Sequence, residues 1–305
     1  MRYVWEWRCA RTARGARAHP LLEVPDEVPD MSSKLARRVV LITGAAKGIG
    51  LATAAEFAKA GATLVITDRD PTALALAEPK LRAHAVEVKS YVVDVTDRAA
   101  VEAMAKDVLA RLGALDVLIN NAGIGYSGEL AETTLETWHR LFAVNFWGPL
   151  HHVYAFLPSM KQRRSGHIVN VSSGQAFFRL PTWGAYATAK LALGGFSELL
   201  HYELARDGIH VTTVYPYMVN TGFYDEVTTA TLAARLSMRL LPYYSDTPEK
   251  VGRLIFQAVL KKKKVEMVSL LNDFGFYSRL IPPVSDAVSY VSNWLLAKSA
   301  SGGSQ

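Results

Sequence analysis

The stretch GAYATAK, residues 184–190, places a tyrosine and a lysine four positions apart. On a helix that spacing puts Tyr186 and Lys190 on one face. A phenol titrates near 10 and is a poor proton acceptor at neutral pH. An ammonium beside it favours the phenolate and draws that value down, so such a pair could move a proton on and off a substrate oxygen. The spacing alone does not separate this from one stripe of an ordinary helix. Two other stretches carry complementary chemistry. VNVSS, residues 169–173, offers hydroxyls that could polarise a carbonyl or steady an alkoxide. TGAAKGIG, Thr43–Gly50, follows an apolar run and precedes a helical pattern. Gly44 there permits a tight turn, Gly48 lets the backbone approach a pyrophosphate, and Gly50 allows close helix–strand packing. The amides at the helix start, Ile49 among them, could then hold phosphates.

These stretches need elements to bring them together. From about residue 37 the chain alternates β-branched runs with helical patterns. RVVLIT, ATLVITD, VKSYVVDV, LDVLINNAG, GHIVNVSS and IHVTTVYP read as six strands, and VEMVSLL as a seventh. Helical patterns stand between them. One opens at the glycine cluster and closes at Gly61, and one starts near Pro71 with Pro79 as an expected interruption. Others end at Gly113, cover 133–163 and 185–207, or begin at Thr247–Pro248. A final amphipathic helix is expected in VSDAVSYVSNWLLAK. Unbroken strand–helix alternation predicts an α/β fold: one doubly wound parallel sheet of about seven strands with helices on both faces. In such sheets ligands bind beyond the carboxyl ends of the strands, where the glycine cluster and VNVSS both lie.

TGAAKGIG, NNAG (Asn120–Gly123), VSS (Val171–Ser173) and YATAK (Tyr186–Lys190) stand in the order and spacing of the short-chain dehydrogenase/reductase family. The sequence resembles that family over roughly residues 36–222. The resemblance implies a Rossmann-type fold in one domain over residues 31–305, with a substrate-loop and helical region from about 217. It implies an NAD(P)-dependent oxidoreductase in which Tyr186 is the acid–base residue. Lys190 would tune Tyr186 and bind the nicotinamide ribose. The family serine lies thirteen positions before the tyrosine, which selects Ser173. Asn145, in AVNFWG, matches an asparagine that supports a water beside the lysine. Gly44, Lys47, Gly48, Ile49, Gly50, Asp94, Val95, Asn121, Ala122, Gly123, Pro216, Val219 and Thr221 match cofactor-binding positions. The family's Pro-Gly after the sixth strand is here Pro216–Tyr217, so Tyr217 must house a ring in the substrate pocket or in the core.

Asp68 ends the second strand. A carboxylate there can accept hydrogen bonds from both ribose hydroxyls of NAD and would repel the 2′-phosphate of NADP. Lys47 and Arg69 stand where NADP-using relatives carry basic residues, so the reading is NAD preferred, with NADP as the second choice. Gln175, Phe177, Phe178, Trp183, Tyr217 and Phe223 are the expected substrate-pocket residues, in loops rich enough in aromatics to suggest an apolar pocket. The expected substrate is a bulky lipophilic secondary alcohol or ketone. The alternatives are a dinucleotide-binding regulator with altered catalysis, and an epimerase or dehydratase of the same family.

Composition narrows the partners. The chain has 305 residues, half of them hydrophobic, a net charge of +6 and a single cysteine, Cys9. No run is apolar and long enough for an integral membrane span. The basic run Lys261–Lys264 lacks aromatic interleaving, which argues against nucleic acid; it reads as a solvated helix end, with peripheral contact to anionic membranes as the alternative. No Cys/His cluster has metal-ligand spacing, and the adjacent His151 and His152 read as structural. The cysteine count fits the cytoplasm. The two long central helices look apolar enough for a homodimer or homotetramer. Residues 1–30, with five arginines in the first nineteen, are expected to form a disordered leader or to precede the native start at Met31.

Overall fold

The computed structural model describes residues 35–84, 86–177, 182–219, 221, 223, 245–269 and 276–277. The expected leader, Phe178 and the expected final helix fall outside the described residues. Seven parallel strands form one sheet: β1 (Val39–Thr43), β2 (Thr63–Asp68), β3 (Val88–Val92), β4 (Val117–Asn120), β5 (Gly166–Val171), β6 (Ile209–Tyr215) and β7 (Val265–Met267). Their order across the sheet is β3-β2-β1-β4-β5-β6-β7. This is the doubly wound parallel arrangement that the alternation predicts. The direction of winding reverses between β1 and β4, so the loops after those two strands open a crevice at the carboxyl edge.

Among the described residues the α-helices are α1 (Gly48–Lys59), α2 (Pro71–Arg82), α3 (Arg98–Leu112), α4 (Leu135–Phe142), α5 (Gly148–Arg163), α6 (Gly184–Leu204) and α7 (Pro248–Leu260). Alternation along β1 sorts them into two layers. Val40 and Ile42 join a core with Phe57 of α1, Leu74 of α2 and Ile255 of α7. Val39 and Leu41 face the other core, with Met104 of α3, Phe156 of α5 and Leu200 of α6. All five β1 residues are buried, as a central strand covered on both faces requires. The pattern of β3 is half open, as its edge position allows. Helices α1 and α7 touch backbone to backbone: a Cβ on Gly252 would lie 2.8 Å from the main chain of Ala52 and Thr53.

Local chemistry starts the helices where expected. Asp70, Asp97 and Thr247 accept backbone N–H groups at the heads of α2, α3 and α7. Two expectations are corrected. Pro79 does not interrupt α2. It removes one bond, the N–H to the Ala75 carbonyl, and the helix runs on past it for the last turn with Leu81 buried in the core. The lysine run is not simply solvated: Lys263 pairs with Glu266 at 2.6 Å, and Lys264 with Glu198 at 2.8 Å and the Tyr202 hydroxyl at 2.6 Å.

Two buried histidines link the fold to pH. Burial pushes His152 down to about 4, and burial, with positive neighbours, pushes His167 down to about 3. His152 is held by the Gly148 carbonyl and His167 meets the Thr212 hydroxyl at 2.7 Å. A depressed histidine stays neutral in the native state while the unfolded chain takes up a proton below about 6.5, so stability must fall as pH falls from there. Urea denaturation should show a loss of about 2–3 kcal/mol between pH 6.5 and 5, above the main carboxylate range. A flat profile in that window would contradict neutral burial of this pair.

Candidate active site

The crevice is floored by a clamp between the loops after β1 and β4. The Thr43 hydroxyl accepts the N–H groups of Asn121 and Ala122, both at 3.0 Å. The Asn121 side chain donates back to the carbonyls of Thr43 (2.9 Å) and Gly44 (3.1 Å). Gly44 has φ +62°, and a Cβ there would lie 2.9 Å from the Ala122 Cα. A Cβ on Gly50 would run into the Gly44 carbonyl oxygen. These two glycines are therefore set by close packing. Gly48, at φ +57°, lines the crevice itself. Lys47 heads α1 without a side-chain cap, so the first-turn amides of α1 carry no capping oxygen and are suited to phosphate. Asp68 is fixed at the far end: one carboxylate oxygen accepts the Ala46 N–H and the other the Asp70 N–H, each at 3.2 Å. One Asp94 oxygen takes the N–H and hydroxyl of Thr96, both at 2.8 Å.

Beyond the cradle, the long helical stretch carries an unforeseen feature. Between α4 and α5 one wide turn, Ala143–Trp147, bonds with a five-residue step, as in Gly148 N–H to the Ala143 carbonyl. Pro149 is the physical reason: it brings no N–H to the carbonyl of Asn145, four residues earlier, and its ring crowds that group. Asn145 sits in this wide turn, fully buried. Its amide grips Ile124 at both ends, accepting Ile124 N–H at 3.1 Å and donating to its carbonyl at 3.0 Å. A Cβ on the preceding Gly123 would lie 2.9 Å from the Asn145 side-chain oxygen and 3.3 Å from Lys190 Nζ.

Lys190 and Tyr186 both project from α6 and are buried. Lys190 Nζ donates to the Val171 carbonyl at 2.9 Å. The Ser172 hydroxyl donates to the Lys190 carbonyl at 2.7 Å, so it joins β5 to α6. Ser173 accepts the Gln175 N–H at 3.2 Å. Burial pushes Tyr186 up to about 12, with the Ser173 hydroxyl pulling the other way. Burial also pushes Lys190 down to about 8. In the protein alone desolvation sets the direction for Tyr186, whereas the lowering expected from the residues was that of the ammonium together with a positive nicotinamide ring.

One continuous cleft of about 280 Å³ joins the two halves. Among the described residues its lining includes Gly44, Lys47, Gly48, Ile49, Asp68, Arg69, Asp94, Val95, Asn121, Ala122 and Gly123 at one end. Ser173, Gln175, Trp183, Tyr186, Lys190, Pro216, Val219, Thr221 and Phe223 complete it at the other. Gly50 and Asn145 stand behind this lining. Phe177 is turned away, its ring 4.5 Å from Tyr215 and 4.9 Å from Phe276, and Tyr217 is not among the lining residues. Ile124, Gly125 and Val93 line the cleft without having been expected there, and Met218 lines it as well. Only the positions of the first three beside NNAG and Asp94 could have signalled them.

A family model for the short chain dehydrogenases matches residues 38–231. The chain belongs to the short-chain dehydrogenase family. It is 37% identical over 242 residues to the probable oxidoreductase EphD of Mycobacterium tuberculosis, covering 76% of this chain and 41% of that protein. The chain thus spans about two-fifths of the length of this mycobacterial relative. It is 33% identical over 258 residues to estradiol 17-beta-dehydrogenase 11 of Pongo abelii, covering 84% of this chain and 83% of that one. A crystal structure of a short chain dehydrogenase/reductase from Burkholderia phymatum in complex with NAD superposes with a TM-score of 0.72 at 31% identity, covering 77% and 89% of the two chains.

The buried lysine allows a test in which function and stability part company. A lysine depressed from 10.5 to about 8 destabilises the native state below pH 8, and the cost is relieved as pH rises from 8 towards 10.5. Lys190→Met should therefore lose activity yet gain about 1–3 kcal/mol at pH 7. The gain should shrink by pH 10. A variant less stable than the parent at pH 7 would show that the Val171 contact outweighs desolvation.

Proposed function

We propose that the protein is a dehydrogenase that interconverts a secondary alcohol and a ketone, bulky and lipophilic, with a nicotinamide dinucleotide. The observation that carries this reading is the meeting of Ser173, Tyr186 and Lys190 on one wall of the cleft that also holds Gly48 and Asp68. The bound dinucleotide would supply hydride acceptance or donation. Tyr186 would hold the proton of the substrate oxygen and pass it on. Ser173, with one lone pair taken by the Gln175 N–H, has its proton available for that oxygen or for Tyr186. Lys190 would hold the ribose and, with a positive nicotinamide ring, offset the burial that keeps Tyr186 high. Asn145 acts through Ile124 and Gly123, keeping the loop after β4 against Lys190. The alternative of a non-catalytic dinucleotide-binding regulator is less favoured, because all four of these residues are present and assembled.

For the cofactor, Asp68 favours NAD. Two backbone N–H groups hold its carboxylate in the cleft, where it suits two ribose hydroxyls and opposes a phosphate. For the substrate, the apolar end is built from Trp183, Met218 and Phe223, with the Tyr186 ring 5.7 Å from Trp183 and 5.8 Å from Phe223. A relative named for estradiol is consistent with that shape. No helix among the described residues is long and apolar enough to cross a membrane. A cytoplasmic homodimer or homotetramer is the accompanying proposal, with Trp147 before α5, Tyr154 on α5, and Leu199 and Tyr202 on α6 exposed.

The test is a panel of lipophilic secondary alcohols with NAD or NADP, read at the reduced-nicotinamide absorbance. Activity should favour NAD, and Tyr186→Phe should lose at least about a hundredfold in kcat. Asp68→Ala should move the preference towards NADP by about tenfold or more. Full activity in Tyr186→Phe would remove the proton-carrier role, and an unchanged cofactor ratio in Asp68→Ala would remove the selector role.

A further inference from the structure

Gln175 occupies a short 3₁₀ turn, Gly174–Ala176, directly after Ser173. The residue is 5% exposed and lines the cleft. Its carbonyl oxygen, Oε1, is buried and has no hydrogen-bond partner. Other buried polar atoms lack partners too, among them Asn120 Oδ1 and Thr53 Oγ1, but their residues do not line the cleft. Among the described residues, Gln175 alone combines an unpartnered buried polar atom with a place in the cleft wall. An amide left in this state is costly unless something completes it, and evolution has cheap apolar replacements of the same length. Its backbone N–H already holds the Ser173 hydroxyl, and both residues line the cleft.

We propose that Gln175 determines specificity by accepting a hydrogen bond from a second polar group of the substrate, a hydroxyl or amide N–H within a few bonds of the reacting carbon. The proposal rests on the dehydrogenase reading above and narrows it: the preferred substrate is lipophilic but bifunctional, a vicinal diol or hydroxyketone rather than a simple long-chain alcohol. The division of labour follows from position. Trp183 and Phe223 provide the apolar surface, Tyr186 and Ser173 meet the reacting oxygen, and Gln175 reads the neighbouring substituent. Sites built to bond a substrate hydroxyl discriminate strongly against the analogue that lacks it, because the protein group is then left unpaired.

A matched pair of substrates, 1,2-decanediol and 2-decanol, tests this with NAD as acceptor. The parent enzyme should favour the diol in kcat/KM by about tenfold or more. Gln175→Met, of similar length but without the acceptor, should collapse that ratio, while NADH affinity measured by fluorescence stays unchanged. Gln175→Glu, which keeps an acceptor oxygen, should retain the preference for the diol. A ratio unchanged in Gln175→Met overturns the proposal, and so does a parallel loss of NADH affinity, which would assign the amide to the cofactor. Parent enzyme that oxidises neither compound overturns the lipophilic-alcohol reading itself, whereas oxidation of both at equal rates overturns the role of Gln175 alone.

Discussion

The site depends on the hydrogen bonds of one buried threonine hydroxyl. Thr43 ends β1, and its oxygen takes two N–H groups from the loop after β4. A parallel sheet whose winding reverses between those strands leaves their loops diverging, and nothing in the strand ladder holds them together. The Thr43 clamp does so, and the Asn121 side chain closes it from the other side. From there the constraint runs onward. Gly123 is pressed between Asn145 and Lys190, and Asn145 grips Ile124 at both ends of its amide. Contacts thus run from the loop after β1, through the loop after β4, to Asn145 and Lys190.

Burial has opposite consequences along this stretch. For the apolar strands it is the source of stability: β1 is covered on both faces and contributes to both cores. For Lys190 and Tyr186 it opposes ionisation, pushing the lysine down to about 8 and the tyrosine up to about 12. In the protein alone the tyrosine is therefore held in its neutral form, while a lysine at about 8 still carries its charge at pH 7. Binding of a positively charged ring next to them would change the balance for the tyrosine.

Much of this was legible in the residues. The strands announced themselves by β-branched runs, and the glycine cluster by its place between a strand and a helix. Ser173 and Tyr186 could be matched by their separation along the chain, and Tyr186 and Lys190 because α6 is a regular helix. The unread parts share a cause: they depend on contacts across elements rather than on local pattern. The wide turn at Asn145 needed the missing N–H of Pro149 to be read four residues backwards. Phe177 looked like a pocket residue by composition, yet its ring is captured by Tyr215 and Phe276. The lysine run looked solvated until Glu198 and Glu266 were seen to face it. The sign of the Tyr186 shift required knowing how deeply the phenol is buried.

The central claim is that the Thr43 clamp holds the dinucleotide cradle in shape. Thr43→Val preserves shape and burial but removes the oxygen shared by Asn121 and Ala122, leaving two N–H groups without their partner. Titration of NADH by fluorescence, with far-UV circular dichroism to confirm the fold, tests it most directly. The account predicts a dissociation constant raised by about tenfold or more in a protein that remains folded, since unpaired buried donors cost about 1–3 kcal/mol each. A folded Thr43→Val protein that binds NADH as tightly as its parent would contradict it.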